Sequence, residues 1–97
     1  MKGEPLRATV TLVNSQGLHI RPMAAFVQLA SRFESSVQVA CEDRPAVDGK
    51  SPLGLLSLGA GQGTPLTLEV CGPDQQAALD ALVAFLNGLI AEDEENQ

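Results

Sequence analysis

The sequence predicts an α+β domain, a βαββαβα open-faced β-sandwich in which a four-stranded antiparallel sheet carries three helices on one face. Three observations predict it. Three short runs alternate apolar and polar residues, as half-buried strands do, and a fourth short apolar stretch stops at a reversal signal. Two longer runs repeat apolar residues at helical spacing, and a short segment opening on Ser-Pro supplies a third helix. Each strand has one apolar face and each long helix one apolar stripe, so helices cover one side of the sheet and water meets the other.

The first strand is RATVTLV, Arg7 to Val13, with Ala8, Val10 and Leu12 on one face and Thr9, Thr11 and Val13 on the other. Asn14 to Gly17, NSQG, is a turn. Met23, Phe26, Leu29, Ala30 and Phe33 then recur on one broad helical face until Ser35 and Ser36 break the helix. In VQVAC, Val37, Val39 and Cys41 share one side of a second strand. Glu42 to Pro45 is a turn, and Ala46 and Val47 form a short third strand ending at Asp48-Gly49.

Ser51 is a good N-cap and Pro52 a good first helical residue, while Gly59, Gly61 and Gly63 limit this helix to about two turns. TPLTLEV alternates again, with Leu66, Leu68 and Val70 on one face. GPDQQ opens the last helix, whose apolar stripe is Leu79, Leu82, Val83, Leu86 and Ile90. Gly88 interrupts that pattern and is a candidate for its end. The tail AEDEENQ puts four acids at the wrong end for the helix dipole, so fraying is expected there.

A chain of 97 residues is one domain (1–97) near the lower limit of what buries a useful core, with structure expected over about 6–90 and an acidic tail at 91–97. With three Phe and no Trp or Tyr, that core is built from Leu, Val, Ala and a few Phe rings. The net charge of −6 is uneven: all six basic residues lie in the first 50 positions against five acids, and the remainder carries seven acids and no base. No basic stripe with interleaved aromatics exists, which argues against nucleic acid. No run approaches a membrane span or a signal-peptide core, so a cytoplasmic protein is expected. Cys41 and Cys71, 30 positions apart without a CxxC, read as reduced structural thiols rather than metal ligands.

The chain's one histidine stands in GLHIRPMAAF, where a turn gives way to a helix. The first backbone N–H groups of that helix have no partner within it and offer themselves to an anion. Pro22 fits the first turn because its missing N–H is one of those orphans. Arg21 adds a permanent charge and a donor fork suited to phosphate oxygens. This positive field favours the neutral imidazole at His19, the form able to attack phosphorus, and favours a phosphoryl group once it is attached. Against this stands the plainer reading that His19 caps the helix or packs under a loop while Arg21 is a surface charge. Residue physics alone leaves both open.

GLHIRP resembles the G-L-H-x-R-P signature of the HPr family, the histidine-containing phosphocarriers of the bacterial phosphoenolpyruvate-dependent sugar phosphotransferase system. GKSPLGLLSLGA resembles the same family's second motif, and the similarity runs from about Leu6 to about Gly88. The resemblance implies the same open-faced sandwich, with His19 accepting a phosphoryl group from phospho-enzyme I and passing it to enzyme IIA proteins, and Arg21 stabilising the group in transfer. It implies a monomeric carrier, not an enzyme in its own right, with no cofactor, metal, nucleic acid or membrane. Ser51 matches the position that an HPr kinase/phosphorylase modifies in some bacteria, beside its plain role as an N-cap. Ile20, Ala24, Pro52, Leu53 and Leu56 match positions of the partner-docking face, although Leu53 and Leu56 also suit a core.

This chain departs from the family at Pro52, usually apolar and often isoleucine, and at Ile20 and Met23, bulkier than the usual alanine or threonine. These changes bear on partner choice and on Ser51, not on the chemistry. Lys50 reads as a solvated charge, or as an aid to an acidic partner or to a serine phosphate. A regulatory protein, read by a kinase or a transcriptional regulator through its phosphorylation state, is the alternative to a sugar-transport carrier, and a module that has lost phosphorylation of His19 is a third reading.

Overall fold

A computed structural model of the chain describes residues 4–12, 20–42, 44–61 and 63–95, with side chains throughout except at 20 and 90–95. The elements are β1 (Leu6–Thr11), α1 (Ile20–Ala30), β2 (Ser36–Cys41), β3 (Val47–Asp48), α2 (Pro52–Leu58), β4 (Pro65–Cys71) and α3 (Gln75–Glu95). The order is the βαββαβα expected, and the strands form one antiparallel sheet in the order β1-β4-β2-β3.

β4 holds the sheet together. It pairs with β1 in the register Ala8↔Leu68 and Val10↔Leu66, and with β2 in the register Val37↔Val70, Val39↔Leu68 and Cys41↔Leu66. Leu66, Leu68, Val70, Val10, Val37, Val39 and Cys41 therefore fall on one face, and all are buried. Because strand side chains alternate, the opposite face receives Arg7, Thr9, Thr67 and Glu69, where the Thr9 and Thr67 hydroxyls hydrogen-bond at 3.1 Å and Arg7 pairs with Glu69. Cys41 looks into the core and Cys71, half-buried, lies with Glu69 on the open face; both are free thiols.

The helices cover the buried face. α3 packs on β1 and β4, α1 packs on α3, and α2 bridges α1, β2 and β3. Met23, Phe26 and Ala30 turn inward from α1, with Phe26 edge-on to Phe85 of α3 at 6.2 Å between ring centroids. The helix ends at Ala30, earlier than the apolar spacing through Phe33 suggests. The chain tightens there, with Arg32 N–H donating to Leu29 O and Phe33 N–H to Ala30 O, so Phe33 reaches the core's edge from a turn.

Gly88 does not end α3. The helix continues through it to Glu95, and Leu89 joins Ala78, Leu79, Leu82 and Leu86 in the core. A single exposed glycine costs a helix about 1 kcal/mol, less than the burial of the leucines on either side of it contributes. Val13, the Asn14–Gly17 turn and His19 lie outside the described residues, as does the side chain of Ile90.

One polar cluster ties the end of α1 to the start of α3. Ser35 is fully buried, and the Asp74 carboxylate accepts hydrogen bonds from the Ser35 hydroxyl and from the N–H groups of Glu34 and Ser35, both at 2.9 Å. These bonds, the Ser35 hydroxyl foremost and the Glu34 N–H next, hold the Asp74 carboxyl below its ordinary value of 3.8. Gly72, at φ 153°, lets the turn close, since a Cβ there would lie 2.6 Å from Ser35 Cα. Gly72→Ala is expected to lower stability by about 1–3 kcal/mol in a denaturant melt.

A carboxyl depressed in the folded state stabilises above its unfolded value and loses that contribution as pH falls through its folded value. Thermal melts of the wild type should therefore decline as pH drops below 3.8, and Asp74→Asn should flatten that part of the curve while lowering Tm near neutrality.

Candidate functional site

The polypeptide enters the histidine segment at a fixed point. Leu12 is buried just past β1, its N–H donates to Thr64 O at 2.9 Å, and its carbonyl accepts from Gly63 N–H at 2.5 Å. The chain resumes at Ile20, the first residue of α1. His19 lies outside the described residues, but it is covalently joined to that helix start, whose first-turn N–H groups have no partner within the helix.

Arg21 and Pro22 are the second and third residues of α1. Arg21 is exposed and Pro22 buried. Pro22 thus stands where a proline removes no intrahelical bond, and its ring faces the protein while Arg21 faces solvent. An arginine at an exposed helix N-terminus is unfavourable to the helix dipole. That cost is consistent with a group kept for an anion and not for the fold.

Ser51 caps α2. Its backbone is extended (φ −110°, ψ 115°), and its Oγ accepts from Gly54 N–H at 3.1 Å. Pro52 takes the first helical position, and Gly59 ends the helix in the left-handed conformation (φ 58°) with its N–H donating to Leu56 O. Within α2, Leu55 and Leu58 are buried. Leu53 and Leu56 are not part of the core: they are 79% and 53% exposed, three residues apart and so on one side of the helix. Ala24 is exposed on the neighbouring α1, three residues from Arg21. Met23, the other bulky departure, is 6% exposed and belongs to the core.

Two cations that the sequence left undefined have structural partners. Lys50 is half-buried, and its Nζ donates to Phe33 O just beyond α1 at 2.8 Å. It is therefore not simply a solvated charge. Arg44, in the turn after β2, donates from Nη1 to Leu58 O at 2.6 Å, at the C-terminus of α2. Each positive charge meets the partial negative charge of carbonyls at or beyond a helix end. A basic residue within reach of a helix C-terminus was the available signal, but the partners are 17 and 14 positions away and become neighbours only in the fold. No cluster of metal-ligating residues occurs among the described residues, and no helix among them is long and apolar enough to cross a membrane.

Replacing Ser51 by Ala should cost about 1 kcal/mol in a urea melt, because the cap hydroxyl satisfies one backbone donor, whereas Gly, itself a tolerated N-cap, should cost only a few tenths.

Comparison with known proteins joins these features. A family model described as "PTS HPr component phosphorylation site" matches residues 6–88. A phosphocarrier protein HPr of Cupriavidus necator is 43% identical over 89 residues, 92% of this chain and 99% of that protein. An HPr-like protein Crh of Halalkalibacterium halodurans is 46% identical over 70 residues, covering 72% of this chain and 82% of its own length. Among solved structures, an HPr of Thermoanaerobacter tengcongensis superposes with a TM-score of 0.83 at 38% identity, covering 89% of this chain and 96% of that one.

Proposed function

The chain belongs to the HPr family of phosphotransferase-system phosphocarriers, and on that premise we propose that His19 is the phosphoryl acceptor, charged by phospho-enzyme I and discharged to enzyme IIA proteins. The observation that carries this reading is that the Ile20-Arg21-Pro22 part of GLHIRP opens α1, with Arg21 exposed in the first turn and Pro22 where its missing N–H costs nothing. The ring nitrogen called Nδ1 in the family supplies the electron pair that forms the new phosphorus–nitrogen bond. The bond between phosphorus and the donor breaks with its electron pair leaving on the donor. The first-turn N–H groups of α1, which have no partner within the helix, and the Arg21 guanidinium offset the negative charge that arrives with the phosphoryl group.

Such a chain carries a group stoichiometrically and acts with enzymes instead of turning over substrate alone. It needs no cofactor, because positioning and charge compensation are most of what phosphoryl transfer requires. It works as a monomer in the cytoplasm, with Ile20, Ala24, Pro52, Leu53 and Leu56 as the docking face. A second use of the same chain is as a regulatory protein modified at Ser51 by an HPr kinase/phosphorylase and read by a transcriptional regulator, and similarity to Crh, the catabolite repression HPr of Bacillus subtilis, supports a regulatory use. Pro52 removes one N–H from the turn that a phosphate on Ser51 would use.

Incubation with phosphoenolpyruvate and enzyme I should add one acid-labile phosphoryl group by intact mass, and His19→Ala should add none. Arg21→Gln should slow the transfer at least about tenfold by quenched-flow assay, the scale expected when one charge-stabilising donor is lost. Absence of modification with enzyme I of the same organism would refute the carrier reading. For Ser51, a cognate HPr kinase that modifies Pro52→Ile but not the wild type would show that the proline closes the regulatory route.

A further inference from the structure

The ladder between β1 and β4 changes character at its last rung. The register pairs Thr11 with Pro65, so Leu12 falls opposite Thr64. In a regular antiparallel ladder these two residues would exchange both hydrogen bonds. Only one of the two is made, with Leu12 N–H donating to Thr64 O at 2.9 Å. The Leu12 carbonyl accepts from Gly63 N–H instead, at 2.5 Å, while Thr64 N–H turns back to Gly61 O at 3.2 Å and closes the turn 61–64. Gly63 and Thr64 therefore both oppose the single residue Leu12. This is a β-bulge with a glycine at its first position, and Gly63 has the left-handed φ, 84°, which that position takes.

A bulge disrupts the ladder and increases the local twist, and bulges recur beside active sites where pairing has to stop. Pairing stops here at the residue from which the chain sets out for His19: residues 13–19 join Leu12 to Ile20, the first residue of α1. The helix start restrains His19 from its C-terminal side alone. The direction in which a side chain leaves the backbone depends on the torsions on both sides of its Cα, so the other end of the segment matters too. A segment of seven residues held at both ends has fewer arrangements than one held at a single end. We infer that Gly63 is a positioning residue for phosphoryl transfer: its left-handed backbone holds the Leu12 carbonyl and so fixes the second end of the segment that carries His19. This inference rests on the carrier function proposed above, and it adds to that function a residue outside both GLHIRP and GKSPLGLLSLGA. Gly63 belongs to neither α1 nor α2, so its effect falls on the geometry of the reacting complex and not on docking.

Apart from its chain neighbours, no atom lies within 4 Å of where a Cβ on Gly63 would stand. Gly63→Ala thus introduces no clash and acts through the backbone torsion, whereas Gly63→Asn supplies a residue that tolerates positive φ. The test is steady-state kcat and KM of these variants as acceptors from phospho-enzyme I of the same organism, with thermal melts to confirm folding. Gly63→Ala should lower kcat at least about fivefold while KM stays within about twofold, and Gly63→Asn should recover kcat to within about twofold of the wild type. Asp74→Asn, which weakens the frame at the far end of α1, should keep the wild-type kcat. The ring Hε1 resonance of His19, the chain's one histidine, should move in Gly63→Ala and return in Gly63→Asn. A kcat for Gly63→Ala within twofold of the wild type, a change confined to KM, no recovery in Gly63→Asn, or an equal loss in Asp74→Asn overturns the inference while leaving the carrier function standing. Failure of the wild type to accept a phosphoryl group refutes the carrier function and the inference with it.

Discussion

The register of β4 between β1 and β2 is the constraint on which the rest of the structure depends. One strand fixes two neighbours, so a slip of one residue on either side would turn Leu66, Leu68 and Val70 out of step with Val10, Val37 and Val39. The buried face admits no such slip because its apolar residues have nowhere else to go. Once it is fixed, β1 must end beside Thr64 at the beginning of β4, and the histidine segment leaves from that edge. The point from which the histidine segment departs, at Leu12, is thus set by sheet pairing before any site residue is considered.

The helices are then secured mainly at ends remote from the α1 start. Asp74 and Gly72 lock the turn after α1 to the start of α3. Lys50, next to the cap of α2, holds Phe33 O beyond the end of α1, so α2 starts near where α1 finishes. Arg44 secures the other end of α2. These contacts consume polar groups that would otherwise compete for partners. They leave the α1 N-terminus with its orphan donors and α2 with two uncovered leucines. A carrier that must receive and release the same group from different proteins benefits from a rigid frame and an unencumbered surface.

Most of this frame was legible in local pattern. Alternation placed Val37, Val39 and Cys41 together, and the Ser51-Pro52 pair marked the start of α2 at the correct residue, because both signals depend on near neighbours in sequence. Gly88 misled because propensity is a weak local preference that the buried leucines outweigh. The exposure of Leu53 and Leu56 was not decidable from spacing, since Leu55 and Leu58 occupy the same short helix and tertiary contact alone decides which pair turns inward. Asp74 was visible as a helix opener, but its bond to Ser35 spans 39 positions and has no local signature. Arg21 and Pro22 were read from chemistry at a helix start, and α1 indeed begins at Ile20.

The central claim is that the N-terminus of α1 receives the negative charge of the transferred phosphoryl group. Backbone amide NMR of the protein before and after phosphorylation by enzyme I and phosphoenolpyruvate tests it most directly. The account predicts large downfield shifts at the amides of Ile20, Arg21 and Met23, the described first-turn donors on either side of Pro22, with little change at Thr9 and Thr67 on the open face. Shifts centred on the sheet or on α3, with the α1 amides unmoved, would contradict it.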